Sequence, residues 1–347
     1  MTRHRDRRRR RAAGRFTFAH HLFLGLAAAL MLAACATRYQ PMAAADTTPT
    51  LTDQAIVAAD GYRLPTRAWM PDGPAKPTAV ILALHGYNDY SHAFDRAARR
   101  FAQAGIATYA YDQRGFGATR DPGIWAGTDT LTADLRTTVS LLRARHPGIP
   151  LYLLGESMGG AVILATLSRP GAPAVDGVIL VAPAVWGRDA MGFFPRVALW
   201  VSYALLPGMT VTPPKELNIR PSDNIAMLRA LSRDPLVIKG SRVDALHGLT
   251  DLMDEALAAC GRMSVPTLAL YGAHEEVLPP EPVARAITAF RAHPNHTVAL
   301  YPDGYHMLLR DLKGDVVADD IAAWVRHPGT PLLSGADTAV PERVAAR

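Results

Sequence analysis

Residues 153–160 read Leu-Leu-Gly-Glu-Ser-Met-Gly-Gly, which sets Ser157 between Gly155 and Gly159 directly after a strand-like run at residues 149–154. A serine flanked by glycines at the end of a buried strand can occupy a sharp strand-to-helix turn, because the missing side chains on either side admit a close backbone approach. Its hydroxyl then projects as a candidate nucleophile. A serine hydroxyl is barely acidic at neutral pH, so attack on a carbonyl requires a base that takes the proton as the bond forms. His306 can supply that base, because an imidazole titrates near neutrality. An acid must fix its tautomer and stabilise its charged form. Residues 272–279 read Gly-Ala-His-Glu-Glu-Val-Leu-Pro, so Glu275 can take that role, with Glu276 the alternative if the register slips. Taken alone, the pentapeptide is an ordinary Gly/Ser turn. The ordered partners downstream are what give it chemical meaning.

Other conspicuous residues read more simply. His274 has no partners at ligand spacing, so no metal site is expected. No Gly-x-Gly-x-x-Gly opens the first helix, so a dinucleotide cofactor is not expected either. His85 and the Asp112-Gln113-Arg114-Gly115-Phe116-Gly117 run shape loops, with Arg114 tethering such a loop rather than touching substrate.

The 347 residues suffice for one large domain with an insertion, and 49% of them are hydrophobic, enough for a sizeable core. Net charge is +6, but residues 1–34 hold 8 of the 37 Arg/Lys and 1 of the 31 Asp/Glu, leaving 29 against 30, a net of −1, in the remainder. The basicity belongs to the leader. The folded part therefore has no charge-based reason to bind nucleic acid.

That leader carries five consecutive arginines, Arg7 to Arg11, then an apolar stretch over residues 16–34, the layout of an export signal. It ends in Leu32-Ala33-Ala34-Cys35, which resembles a bacterial lipobox, and the resemblance implies acylation of Cys35 and cleavage before it. An uncleaved anchor helix is the alternative, since the stretch is nearly long enough to span a bilayer. Either way the domain lies outside the cytoplasm beside a membrane. Ala36 at the following position leans, by analogy with Gram-negative lipoproteins, towards the outer membrane on its periplasmic side. After processing, Cys260 is the remaining thiol, read as a small buried hydrophobe.

These chemical groups need a scaffold. Residues 54–70 read as a β-hairpin broken at Asp60-Gly61, and continuous apolar runs at 78–84, 106–111, 151–154 and 178–181 read as strands buried on both faces. Helical segments at 91–104, 131–145 and 161–168 alternate with them. The pattern breaks over residues 184–263 and resumes with strands at 267–271 and 297–301 and helices at 282–290 and 316–325. Such alternation predicts an α/β fold with a mostly parallel, doubly wound sheet and an inserted helical cap. The domain plan is a signal peptide at 1–34, a lipidated cysteine and tether at 35–53, core at 54–183, cap at 184–263, core again at 264–327, and a flexible tail at 328–347.

Within the insert, residues 190–206 are apolar and aromatic, with Phe193, Phe194, Trp200 and Tyr203. This stretch either roofs an acyl-chain channel and dips into a bilayer, or packs its apolar side on the core. Pro195-Arg196 interrupts it, and it is too short to span.

Taken together, His85-Gly86-Tyr87, the run Asp112 to Gly117, the elbow at Gly155 to Gly160 and Gly304-Tyr305-His306 resemble the monoacylglycerol lipase and lysophospholipase branch of the α/β-hydrolases, over residues 55–327. The resemblance implies the fold of that superfamily, Ser157, Glu275 and His306 as catalytic triad, and an oxyanion hole from the backbone N–H groups of Tyr87 and Met158. In that family the acid follows the seventh core strand as an Asp, so a Glu here is a departure of one methylene. It implies hydrolysis of the carboxylic ester of a monoacylglycerol or lysophospholipid through an acyl-enzyme on Ser157, with a lipid or small ester as substrate and no cofactor. Epoxide hydrolases and dehalogenases are disfavoured, because their elbow nucleophile is Asp. A short-chain esterase, thioesterase or peptidase, or a non-catalytic lipid-binding envelope lipoprotein, are the other readings.

Overall fold

The computed structural model describes residues 36–212 and 218–338. The leader and Cys35 lie outside the described residues. The sheet of the described residues opens with three antiparallel strands, β1 (Thr50–Leu51), β2 (Ala55–Val57) and β3 (Arg63–Trp69), of which β2 and β3 form the expected hairpin with Ile56 opposite Leu64. β3 then pairs antiparallel with β5 (Ile106–Tyr111). From there the sheet is parallel through β4 (Ala79–Leu84), β6 (Leu151–Glu156), β7 (Gly177–Val181), β10 (Thr267–Gly272) and β11 (His296–Tyr301). The nine-stranded order is β1-β2-β3-β5-β4-β6-β7-β10-β11.

Alternation along each central strand explains why its run is apolar throughout. In β4, Val80, Leu82 and Leu84 enter one core while Ile81 and Ala83 enter the other. The first core is closed by α2 (Thr128–Arg145), α3 (Met158–Ser168), α6 (Val243–Ala259) and α7 (Pro280–Arg291), the second by α1 (Asp95–Gln103) and α8 (Gly314–Arg326). Helix α1 shows the local logic: Ala97, Ala98 and Phe101 are buried on one side, while Arg96, Arg99 and Arg100 point away to acidic partners.

The insertion contains α4 (Phe193–Leu205), a two-stranded antiparallel sheet of β8 (Thr210–Val211) and β9 (Ser241–Arg242), and α5 (Ile225–Arg233). Asn224 caps α5 by accepting a hydrogen bond from the Met227 N–H at 3.1 Å. Residues 243–263, grouped with the cap on sequence grounds, instead form a core layer. Leu252, Met253, Ala256 and Ala259 of α6 are buried in the first core with Cys260 and Met263, because this helix has a continuous apolar face and no proline. Burial also pushes the Cys260 thiol up to about 12, an inert group at neutral pH. Among the described residues no helix is long and apolar enough to cross a membrane.

The first and last stretches of the described residues are held by specific contacts. Gln40 donates its backbone N–H to the Trp125 carbonyl at 2.9 Å, and Met42 donates its own to Thr130 Oγ1 at 3.1 Å. Near the other end Leu332 and Ala336 are buried, and the Ser334 N–H bonds the buried Asp320 carboxylate at 3.0 Å. Specific polar anchors of this kind leave no periodic signature in a Pro/Ala/Thr-rich sequence.

Arg114 lies fully inside, its guanidinium 2.7 Å from Asp60 and 2.8 Å from Asp134, and its Cζ 4.0 Å from the Tyr62 ring centroid. It fastens the loop after β5 to the N-terminal hairpin and to α2. Arg114→Leu leaves two buried carboxylates uncompensated and is expected to cost about 3–5 kcal/mol in urea unfolding. A loss below about 1 kcal/mol would reduce the cluster to the rank of a surface ion pair.

Candidate active site

Ser157 sits between β6 and α3 with φ 52° and ψ −115°, a left-handed conformation that a non-glycine residue adopts only under constraint. Two backbone bonds impose it: the Ser157 N–H donates to the Val181 carbonyl at 2.9 Å, and the Ser157 carbonyl accepts from the Ala184 N–H at 2.9 Å. The flanking glycines are needed for space. A Cβ on Gly155 would lie 2.4 Å from the Gly160 nitrogen, and one on Gly159 would lie 2.0 Å from the Leu84 carbonyl oxygen.

His306 and Glu275 come from the loops that follow β11 and β10. Those loops are zipped together where the His274 N–H donates to the Gly304 carbonyl at 2.9 Å. His306 Nδ1 lies 2.7 Å from Glu275 Oε2, with both side chains buried. The other carboxylate oxygen, Oε1, accepts from the N–H groups of Val277 at 2.7 Å and Leu278 at 3.0 Å. Glu276 faces outward instead, accepting from the Arg220 N–H at 2.8 Å. Both oxygens of the longer Glu side chain thus have partners. Burial alone would depress the imidazole, yet the charge and hydrogen bond of Glu275 lift its pKa above the ordinary 6.5. Burial would likewise raise the Glu275 carboxyl, but His306 and the two backbone donors hold it below its usual value.

Because Nδ1 is committed to Glu275, Nε2 is the nitrogen left to exchange a proton with a nucleophile. Ser157 and His306 line one cavity of about 570 Å³ together with Gly86 and Tyr87. Its walls are largely apolar, including Trp186, Leu199, Leu246, Met253 and Leu278. The Tyr87 and Met158 N–H groups find no protein acceptor among the described residues, so both remain free to serve an oxygen anion. Met158 is also the first residue of α3, where the helix dipole favours negative charge.

His85 supports this edge of the site from behind. Its Nε2 accepts from the Gln113 N–H at 2.9 Å, which makes Nδ1 the protonated nitrogen that donates to the Gly86 carbonyl at 2.8 Å. Burial lowers its pKa, in keeping with that neutral tautomer. The same pair of bonds fixes the peptide preceding Tyr87.

One cluster in the cavity was passed over in the sequence. Arg310 Nη1 lies 2.7 Å from Asp89 and Nη2 3.3 Å from Glu156, all three buried at the cavity wall. Glu156 stands inside the pentapeptide as a spacer, and Arg310 follows His306 by four residues. The available signal was Glu156, the one charged residue in the run 149–167. Burial raises the Glu156 carboxyl, only partly opposed by Arg310. Among the described residues no group of acids, histidines and cysteines has metal-binding arrangement.

A mostly parallel sheet with a serine elbow after its central strand, an acid and a histidine on later strand ends, and an insertion over the cavity defines the α/β-hydrolase class. A family model, the serine aminopeptidase S33 group of hydrolases, matches residues 75–313, and the chain belongs to that family. Among curated relatives, a monoacylglycerol lipase of Mycolicibacterium smegmatis is 26% identical over 292 residues, covering 80% of this chain and 97% of its own. Human monoglyceride lipase is 27% identical over 276 residues, covering 78% of this chain and 89% of its own. The fold is shared with the crystal structure of Paleococcus ferrophilus monoacylglycerol lipase, at a TM-score of 0.62 and 21% identity over 76% of this chain and 98% of that one.

Proposed function

We propose that this chain is a serine ester hydrolase that cleaves monoacylglycerols. The observation that carries the reading is the convergence of the constrained Ser157 and the Glu275-oriented His306 on one largely apolar cavity. Ser157 Oγ attacks the ester carbonyl as His306 Nε2 takes its proton. The oxyanion so formed is held by the N–H groups of Tyr87 and Met158. Collapse breaks the bond to the alcohol oxygen, which takes the proton from His306 and departs as glycerol. Water then attacks the acyl-enzyme with His306 again as base, and the fatty acid leaves.

Several features favour a neutral head group over a phosphate or a peptide amine. Arg310 is the only Lys or Arg among the described lining residues, and two carboxylates already engage it. No free cation is offered to a phosphate there. The same guanidinium engages both Asp89 and Glu156, the two acidic side chains of the cavity wall, and so weakens their pull on a substrate's amino group.

We further infer export and acylation at Cys35, supported by the arginine cluster, the apolar run and Leu32-Ala33-Ala34-Cys35, with the domain on the periplasmic side of the outer membrane. The deciding test offers the full chain a monoacylglycerol, a lysophospholipid and a short-chain ester side by side, with Ser157→Ala as control. Serine-dependent fatty-acid release from the monoacylglycerol is expected to exceed that from the lysophospholipid at least about tenfold, a difference of about 1.4 kcal/mol in transition-state binding. Cleavage of the short ester alone would keep the triad and sink the lipid substrate. Release from none would favour a lipid-binding lipoprotein.

A further inference from the structure

The insertion presents a surface that the hydrolytic cavity does not use. On α4, Phe193 is 66% exposed, Phe194 82%, Trp200 68% and Leu205 70%, while Pro195 and Leu199 of the same helix line the cavity. An apolar face of this extent beside a site marks an interaction surface. Its electrostatic setting is distinctive too. Residues 190–242 hold seven Arg/Lys against three Asp/Glu, a net of +4, whereas the rest of residues 35–347 holds 22 against 27, a net of −5. Aromatic and aliphatic side chains among basic ones fit an anionic lipid surface.

The position of residues 36–39 says which bilayer meets that face. The Ala36 carbonyl accepts from Arg242 Nη2 at 3.0 Å, the Arg38 N–H donates to Asp244 at 3.0 Å, and the Tyr39 and Tyr203 hydroxyls lie 3.1 Å apart. Tyr203 belongs to α4, and Arg242 to β9 of the same insertion. Residue 36 is thus fastened to the insertion, one residue from Cys35. We propose that residues 36–39 act as a strap that holds the acylated Cys35 beside the insertion, so that the bilayer carrying the anchor also receives the exposed face of α4. The proposal rests on the reading of Cys35 as acylated and goes beyond it by setting the orientation of the domain. A flexible tether would leave the domain free to tumble above the surface. The strap turns the substrate-binding insertion towards the lipid that holds its substrate.

The test uses the full chain with vesicles of phosphatidylethanolamine and phosphatidylglycerol whose acyl chains are brominated, and reads tryptophan fluorescence. Of the five tryptophans, Trp125 and Trp324 are deeply buried and Trp69 and Trp186 half-buried, so the exposed Trp200 is the natural reporter. Quenching is expected, most of it lost in Trp200→Phe. In a chain that begins at residue 36, and so carries neither acyl anchor nor leader, quenching should persist but require about tenfold more lipid, weaken in about 0.5 M salt, and need at least about tenfold more lipid again with Phe193→Ser and Phe194→Ser combined. A wild-type chain that sediments with vesicles without Trp200 quenching overturns the proposal. So does a concentration-dependent blue shift of Trp200 in lipid-free buffer, which would mean that a second copy covers the face. A wild-type mass without acyl chains removes the anchor and the strap's purpose with it. Hydrolysis of a water-soluble ester in the same samples separates the catalytic reading: a quenched but inactive chain supports docking, and an active but unquenched one opposes it.

Discussion

Ser157→Ala is expected to lower kcat for ester hydrolysis by on the order of 10⁶-fold while leaving the fold and the affinity for monoacylglycerol nearly unchanged. Alanine retains the Cβ, so the elbow keeps the backbone bonds to Val181 and Ala184. What disappears is the hydroxyl proposed to form the acyl-enzyme. Residual turnover would come from the Tyr87 and Met158 N–H groups and from bound water, and should show no burst. The check is single-turnover fatty-acid release, together with trapping of the wild-type chain by a fluorophosphonate. A loss smaller than about 10²-fold, or labelling that survives the substitution, would place the nucleophile elsewhere.

Glu275→Gln should reduce kcat on the order of 10⁴-fold, through a different route. The amide keeps the length needed to accept from Val277 and Leu278, yet removes the charge that stabilises the imidazolium formed during turnover. It can also turn its NH₂ towards Nδ1 and select the wrong tautomer. The pH profile distinguishes this from simple misfolding. In the wild type the Glu275 carboxylate raises the His306 pKa above 6.5, so kcat/KM is full above that raised value and falls as pH drops through it. With the charge removed, burial remains and depresses the imidazole, so the acid limb of the residual activity should move to lower pH. An unshifted or higher limb would mean that another group sets the protonation of His306. Glu276→Gln, by contrast, touches only an exposed bond to the Arg220 N–H and should leave the profile unchanged.

The parallel strands were legible because burial on both faces removes polar residues from the run, as in β4 and β7, where every residue is buried. Ser157 and His306 were legible through glycine spacing and chain order. Choosing Glu275 over Glu276 depends on two backbone donors at Val277 and Leu278, whose direction follows from the turn rather than from composition. The Asp89, Glu156 and Arg310 cluster was hidden because its members are 67 and 154 residues apart along the chain and meet only where the end of β6 lies beside two loops. The docking of residues 36–42 was hidden for a related reason. Its contacts are hydrogen bonds to Trp125, Thr130, Arg242 and Asp244, and such pairings have no period. The core role of α6 was missed because an amphipathic helix reads alike whether it covers a sheet or a cavity.

The left-handed backbone at Ser157 has a bearing on how such a protein ages under selection. A non-glycine residue held at φ 52° and ψ −115° costs about 1–3 kcal/mol that glycine at the same place would largely avoid. Folding alone therefore favours replacing the serine, and only chemistry retains it. Thermal stability and turnover are set against each other at a single residue, and a lineage released from the need for turnover would relax there first.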